Sequence, residues 1–286
     1  MSRAHETVLV LDFGSQYTQL IARRVRELGV YCEILPFDTP PAEVAARGAR
    51  GVILSGGPDS VYEPGAPQVG AELFRTGAPT LGICYGMQIL THRLGGRVDR
   101  APGREYGPAT VRVSDPGSAL FRGLEPVQRV WASHGDRVVE PAPGFAVVAS
   151  SEGAPCAAVE DRENRLYGVQ FHPEVVHTES GREILRNFLF GACGCRGDWT
   201  IASFADEAVE EIRRKVGAGR VVCALSGGVD SSVMALLLER AIGDRLVCVF
   251  VDNGLLRKGE ADQVLGDFRE RYHLQVRFAD AADLFL

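Results

Sequence analysis

The sequence feature that most constrains the fold is a cysteine between two glycines, Gly82-Ile83-Cys84-Tyr85-Gly86, which ends an apolar run beginning at Pro79. This spacing is typical of a nucleophile elbow, in which a strand ends, the chain turns sharply and a helix begins at the nucleophile. Side chains at the glycine positions would collide where the backbone doubles back. We therefore expect Cys84 above a sheet at a helix N-terminus, where the dipole favours the thiolate. A buried cysteine on a core strand is the alternative.

Buried strands alternate with helical patterns in the first part of the chain. Val8–Phe13, Tyr31–Leu35 and Gly51–Leu54 are short apolar runs, and apolar residues recur at helical spacing between Tyr17 and Leu28. This alternation predicts an α/β fold with a mostly parallel sheet covered on both faces. Ligands of such folds bind at the carboxyl ends of the strands. Between residues 111 and 160, short runs separated by Pro and Gly predict antiparallel or irregular structure.

Composition excludes some classes of function. The 286 residues carry a net charge of −6 and no basic block, which gives little support for nucleic-acid or membrane-surface binding. The short polar N-terminus shows no secretory signal, and seven scattered cysteines suit a reduced protein, so we expect a cytoplasmic location. The close pair Cys193 and Cys195 is interpreted as structural, with a metal site as the weaker alternative.

A histidine and a carboxylate follow the predicted strand Tyr167–Phe171, as His172-Pro173-Glu174. Because residues two apart in a strand point the same way, His172 and Glu174 are predicted to converge. A histidine that accepts a thiol proton, oriented by an acid, completes a triad with Cys84.

Two further segments are candidates for the same site. The turn Ser55–Asp59 (SGGPD) exposes backbone N–H groups that could form half of an oxyanion hole, with the N–H of Tyr85 as the other half. An ordinary surface loop is the alternative for this turn. The polar cluster Trp131–Asp136 (WASHGD) could line a small-molecule pocket or form a satisfied turn.

A second domain is predicted to begin near Asp198, giving domains at residues 1–197 and 198–286. The strand Val221–Leu225 runs into Ser226–Ser232 (SGGVDSS), and the helical run Val233–Ala241 follows. A strand, a glycine-rich turn and a helix N-terminus form an anion cradle for phosphate oxygens. No Lys follows the glycines, so this is not a Walker A loop. The strand ending at Val251 is expected to border a nucleotide pocket.

These motifs resemble those of the class I glutamine amidotransferases. The sequence is most similar to the glutamine-hydrolysing GMP synthases within that family. The segments that carry this resemblance are DFGSQYTQLIARRVRELGVYCE, ILSGGPDSVYE, GICYGMQ, WASHGD, GVQFHPEV, ALSGGVDSSV and VFVDNGLLR. SGGVDSS resembles the PP-loop of N-type ATP pyrophosphatases. The resemblance implies a flavodoxin-like amidotransferase domain followed by the beginning of a PP-loop α/β domain.

The resemblance also implies roles for individual residues. Cys84 would attack the side-chain amide of glutamine. His172 would accept the proton of the Cys84 thiol and donate a proton to the departing ammonia, and Glu174 would orient His172. The backbone N–H groups of Gly57 and Tyr85 would form the oxyanion hole. The implied glutamine pocket consists of Gln88, Ser133, His134 and Asp136. The implied ATP-binding residues are Ser226, Gly227, Gly228, Val229, Asp230, Ser231, Ser232 and Val251, with Asp230 also holding Mg²⁺.

The implied reaction uses glutamine, ATP and XMP, and the ammonia aminates adenylated XMP to GMP while ATP becomes AMP and pyrophosphate. A homodimer is expected for full-length members. The sequence ends at Leu286, before the part that carries the XMP site in the family, so we do not expect this polypeptide alone to make GMP. Its last part is expected to expose a sheet edge and apolar surface, and to be unstable or to associate.

Two other functions stay open from the sequence. One is a cysteine hydrolase of peptides or γ-glutamyl compounds, which would have no need of a phosphate-binding loop. The other is a non-catalytic partner of a separate synthetase, which would have no need of a complete triad.

Overall fold

The computed structural model describes residues 5–272 and 274–285, and these residues divide into two compact units, with the boundary in the chain between Trp199 and Thr200. The strands of the first unit are β1 Thr7–Asp12, β2 Tyr31–Pro36, β3 Gly51–Leu54, β4 Thr80–Ile83, β5 Arg97–Val113, β6 Val127–Glu140, β7 Ala146–Ser150, β8 Ala158–Asp161 and β9 Leu166–Val169. Its helices are α1 Thr18–Glu27, α2 Pro41–Ala46, α3 Tyr85–Arg93 and α4 Gly181–Arg186. A 3-10 turn covers Ala71–Arg75, and a π-helical turn, Asn187–Ala192, continues α4.

The described strands of the first unit form one sheet in the order β2-β1-β3-β4-β9-β8-β7-β5-β6. Neighbours from β2 to β9 are parallel, and neighbours from β9 to β6 are antiparallel. The predicted α/β class is confirmed, and the antiparallel half lies where the sequence predicted antiparallel or irregular structure. Because β1, β3, β4 and β9 are parallel, their carboxyl ends lie along one edge of the sheet.

The central strands are apolar because both faces of the sheet are covered. Along β1, Val8 and Val10 pack in the core beside α1 and α4, whereas Leu9 and Leu11 pack in the core beside α3. Successive strand residues point to opposite faces, so a sheet covered on both sides has no position for an exposed polar side chain. Burial of each of these apolar side chains contributes roughly 1.5–3 kcal/mol to the stability of the fold.

The antiparallel half differs from the sequence prediction in extent. Strands β5 and β6 form a long two-stranded ribbon with a register shift between Arg100 and Glu105. The segment Trp131–Asp136 lies inside β6, so the interpretation of this segment as a turn is wrong. Charged and polar residues alternate with buried ones along β6, and this half-exposed pattern gives no apolar run that would mark a strand.

The second unit contains α5 Ile201–Val216, β10 Val221–Leu225, α6 Val229–Ile242, β11 Leu246–Asp252, α7 Glu260–Gly266, β12 Val276–Asp280 and α8 Ala282–Phe285. Its described strands form a parallel sheet in the order β10-β11-β12. Thr200 and Ser203 form a reciprocal capping box at the start of α5.

A buried face for α5 is predicted by the apolar residues that recur at helical spacing, Ile201, Phe204, Ala208, Ile212 and Val216. This prediction is only partly correct. Ile201 and Phe204 are exposed, and the core residue of this helix is Val209. Apolar spacing identifies one face of a helix, but it does not say which turns of that face are covered. No helix in the described ranges is long and apolar enough to cross a membrane.

Candidate active site

Cys84 lies at a sharp turn between β4 and α3, as its N-cap residue. Its backbone has φ +51° and ψ −106°, and among the described residues only one other non-glycine, Arg165, has positive φ. Such a conformation costs roughly 1–3 kcal/mol in a residue with a side chain. The strain places the sulfur at the carboxyl edge of the sheet and at a helix N-terminus.

Both glycines of the motif are required by close backbone contacts. A Cβ atom on Gly82 would lie 2.5 Å from the carbonyl group of Gly86. A Cβ atom on Gly86 would lie 2.4 Å from the backbone oxygen of Leu54 in β3. The turn can therefore form only because neither position carries a side chain.

His172 and Glu174 converge, although not for the reason given by strand alternation. Strand β9 ends at Val169, so both residues lie in the loop beyond it. His172 Nδ1 is 2.7 Å from Glu174 Oε1, and both side chains are buried. The loop is held by Thr178, whose hydroxyl donates to the backbone oxygen of His172 at 2.6 Å. The ring of Tyr17 packs edge-on against the imidazole, with centroids 5.2 Å apart.

The electrostatics of His172 follow from its two partners. Burial alone would lower its pKa, but hydrogen bonds and charge interactions with Cys84 and Glu174 outweigh burial and raise the pKa to about 11. The protonated imidazolium is therefore stabilised between a sulfur and a carboxylate. With Nδ1 bound to Glu174, Nε2 is the ring nitrogen left to face Cys84.

One cleft of about 480 Å³ is lined by most of the residues that were predicted to form the active site of the first unit. Its lining includes Gly57, Cys84, Gln88, Ser133, His134, Asp136 and His172. Glu174 lies behind His172, outside this lining. The side chain of Tyr85 points away, with its hydroxyl 2.6 Å from the backbone oxygen of Pro67, so only its backbone can serve the cleft.

Gly57 resembles the elbow glycines in its close contacts. A Cβ atom there would lie 2.7 Å from the backbone oxygen of Phe13 and 3.2 Å from the ring of Tyr85. The SGGPD turn is therefore pressed against the elbow, and the interpretation as an ordinary surface loop is wrong. Its position brings the backbone of residue 57 to the cleft that contains Cys84.

The far wall of the cleft comes from β6 and its neighbours. Gln88 Nε2 donates to the backbone oxygen of Asp136 at 2.8 Å, which ties α3 to β6. His134 Nε2 is 3.0 Å from Glu105 Oε2 on β5. Burial lowers the pKa of His134 more than Glu105 raises it. Asp136 Oδ2 is buried and has no hydrogen-bond partner within the described part of the chain. This wall can therefore hold polar groups of a ligand.

Sequence reasoning missed two residues that shape this site. Gln170 approaches the sulfur of Cys84, and Glu105 partners His134. A polar residue inside the apolar run YGVQF was the available signal for Gln170. Glu105 gave no signal, because its partner is distant in sequence and the strand pairing that joins them was not predicted.

The glycine-rich loop of the second unit lies between β10 and the 14-residue helix α6. Gly227 has φ +77°, and the hydroxyls of Ser231 and Ser232 donate to the backbone oxygen of Gly228 at 3.1 and 2.7 Å. Ser226 Oγ lies 3.1 Å from Ser231 Oγ, which closes the loop over the helix start. The loop thus has the form of an anion cradle.

The remaining residues predicted for ATP lie around this loop. Val229 and Asp230 occupy the first turn of α6, and both are exposed. Val251 is exposed near the end of β11, the strand that pairs with β10. All of the residues predicted to bind ATP are therefore at one edge of the small sheet.

Comparison with known proteins finds a matching family model in each unit. The family described as "Glutamine amidotransferase class-I" matches residues 9–192, and the family described as "tRNA methyl transferase HUP domain" matches residues 219–264. Proteins named GMP synthase [glutamine-hydrolyzing] from Carboxydothermus hydrogenoformans and Symbiobacterium thermophilum are each 54% identical to the chain, over 98% and 100% of its length. The matches cover 55% and 56% of those relatives, so the chain spans about half their length.

A solved structure is also similar to this chain. This structure, from Thermoplasma acidophilum, is described as one subunit of a GMP synthase. It has a TM-score of 0.58 and 29% identity, and the match covers 72% of this chain and 98% of that one.

Proposed function

The chain belongs to the class I glutamine amidotransferase family, and on this premise we propose that it hydrolyses glutamine at Cys84 as part of a glutamine-hydrolysing GMP synthase. The observation that carries the proposal is the Cys84–His172–Glu174 arrangement, with a 2.7 Å contact between the last two and a cleft beside the first. The relatives named GMP synthase support the wider activity.

The proposed reaction begins with attack of the Cys84 thiolate on the amide carbon of glutamine. His172 gives its proton to the departing nitrogen, so ammonia leaves and a thioester remains. His172 then takes a proton from water, which attacks the thioester and releases glutamate. Glu174 keeps the imidazole oriented and favours its charged form.

The backbone N–H groups of Gly57 and Tyr85 are proposed to stabilise the oxyanion of both tetrahedral intermediates. One donor of this kind typically contributes about 10²–10³ in rate. Gln88, Ser133, His134 and Asp136 are proposed to bind the glutamine, and their place in the lining of the same cleft supports this role.

The second unit is proposed to bind ATP through Ser226, Gly227, Gly228, Val229, Asp230, Ser231, Ser232 and Val251. XMP would be adenylated with release of pyrophosphate, and ammonia would replace AMP to give GMP. The described residues contain no cluster of three metal-binding side chains. Mg²⁺ at nucleotide sites is usually held by one or two carboxylates together with substrate phosphates. Asp230 is the carboxylate that would hold it, and bound Mg²⁺ would neutralise phosphate charge.

The remaining proposals concern organisation and setting. We propose domains at residues 1–197 and 198–286, and a homodimer for the full-length protein. The seven cysteines are free thiols, which supports a cytoplasmic location. A glutaminase that serves a separate synthetase is the second candidate, favoured by the similarity of this chain to a solved structure described as one subunit of such an enzyme, 98% of which the match covers.

The test is release of ammonia and glutamate from glutamine, measured with and without ATP and XMP. We expect glutaminase activity that disappears in Cys84→Ala, while ATP binding by the second unit is retained. GMP formation would establish the full reaction, and glutamine hydrolysis that rises when a separate synthetase is added would favour the second candidate. Full activity in Cys84→Ala would refute both.

A further inference from the structure

Gln170 is a buried polar residue that the mechanism above does not use. It follows β9 directly, is 1% exposed, and places Nε2 3.8 Å from Cys84 Sγ. Its Oε1 is buried without a hydrogen-bond partner in the described ranges. An apolar residue of the same size would avoid this unfavourable burial. The position of the amide beside the sulfur therefore calls for a functional explanation.

Two neutral groups contact the sulfur of Cys84 with opposite effects. The backbone oxygen of Ser133, 3.6 Å from Sγ, accepts a hydrogen bond from the thiol and disfavours the thiolate. The amide N–H of Gln170 can donate to the sulfur and so favours the thiolate. We propose that Gln170 is a positioning residue that stabilises the Cys84 thiolate by donating this hydrogen bond. The proposal rests on the proposed role of Cys84 as nucleophile.

The surroundings of Gln170 support this orientation of its amide group. A cavity of about 10 Å³ borders Gln170, between β5, β6 and the end of β9. The amide group contacts the sulfur through Nε2, whereas Oε1 has no hydrogen-bond partner in the described ranges. The donor end of the amide is therefore the end that faces Cys84.

The charged and titratable groups around Cys84 come from several elements. His172 and Glu174 lie in the loop after β9, and His134 is paired with Glu105 across β6 and β5. The other such groups in the cleft lining are Tyr17, Asp59, Tyr106 and Asp136. Gln170 is uncharged, so its replacement by Met leaves all these charges in place. A change in thiolate reactivity in Gln170→Met then reports on the hydrogen bond.

The experiment measures alkylation of Cys84 by iodoacetamide between about pH 6 and 10, where a free thiol titrates, followed on its peptide by mass spectrometry. In Gln170→Met we expect the rate at neutral pH to fall about tenfold, as for loss of one hydrogen bond to a charged group. The rate-against-pH curve should move to higher pH, and kcat for glutamine should fall with little change in KM, because Gln170 is outside the cleft lining.

The matched control is Gln128→Met. Gln128 is also buried, at 3% exposure, but its Nε2 donates to the backbone oxygen of Glu125. This variant should alkylate at the wild-type rate. If Gln170→Met does not fold, Gln170→Leu provides the test, because leucine is also uncharged and cannot donate to the sulfur, so alkylation should slow as expected for Gln170→Met.

Unchanged alkylation in a folded Gln170→Met would overturn the proposal. Faster alkylation would also overturn it, since the amide would then present its oxygen to the sulfur. The assay contains no glutamine, so its result is separate from the proposed function. If the wild type does not hydrolyse glutamine while Gln170→Met still slows alkylation, only the proposed function fails.

Discussion

His172 Nδ1 lies 2.7 Å from Glu174 Oε1, and the two side chains are 4% and 0% exposed as residues. A buried carboxylate at Nδ1 fixes the orientation of the ring and stabilises its charged form. The arrangement depends on the loop after β9, which Thr178 holds by bonding the backbone of both His172 and Trp131.

The first prediction concerns Glu174→Gln. This change keeps the shape of the side chain but removes the charge that steadies the imidazolium, so kcat for glutamine should fall about 10²–10⁴-fold. Ammonia release measures the effect. The control is Glu179→Gln, since Glu179 is an exposed carboxylate paired with Arg129 and should not affect the rate. Equal activity in both variants would show that Glu174 has no orienting role.

The second prediction concerns stability against pH. The pKa of His172 is raised to about 11, whereas an unfolded histidine has a pKa of about 6.5. The ionised ring therefore stabilises the fold fully below about pH 6.5, and this contribution is lost as the pH rises towards about 11. Denaturant unfolding can be measured at about pH 6.5, 8 and 9.5, which lie within this window. The difference in the free energy of unfolding between the wild type and His172→Gln should become smaller as the pH rises. A constant difference between the two proteins would contradict the assignment.

The third prediction concerns backbone strain at the elbow. Cys84 has φ +51°, which glycine adopts without the penalty paid by a residue with a Cβ atom. Both Cys84→Gly and Cys84→Ala should be inactive, but Cys84→Gly should be more stable than Cys84→Ala by about 1 kcal/mol. Thermal or denaturant unfolding decides the order. If the alanine variant were the more stable one, the strained turn would not exist in solution.

The fourth prediction concerns the phosphate loop. Gly227 has φ +77°, and a Cβ atom there would lie 2.8 Å from Val264 Cγ2. Gly227→Ala should therefore displace the loop and weaken ATP binding about tenfold or more, measured by calorimetry. Glutamine hydrolysis measured without ATP and XMP should be unchanged. Gly266→Ala is the control, because no atom lies within 4 Å of the added Cβ. Unaltered ATP binding in Gly227→Ala would argue against this loop as the nucleotide site.

The sequence predicted those parts of the site that depend on local geometry. The elbow follows from two glycines around Cys84. His172 and Glu174 are only two residues apart, although the loop held by Thr178, and not strand alternation, brings them together. The phosphate loop is also a local pattern of strand, glycines and helix start. In each case a few neighbouring residues contain both the reactive or binding groups and the glycines or spacing that the backbone needs.

The parts that the sequence could not predict depend on contacts between distant segments. The contact of Gln170 with Cys84 and that of Glu105 with His134 require the order of strands in the sheet. The β5–β6 ribbon was underestimated because its half-exposed strands lack apolar runs. The exposure of Ile201 shows the same limit, since the sequence gives the face of a helix but not what covers it.

The most direct test of the central claim is labelling with a diazoketone analogue of glutamine, which alkylates the nucleophile that attacks glutamine. Burial raises the pKa of the other six thiols, so their background reaction should be slow. We predict one adduct per chain, located on Cys84, blocked by excess glutamine and absent from Cys84→Ala. Loss of glutaminase activity with the adduct on another residue, or no adduct in a protein that hydrolyses glutamine, would contradict the account.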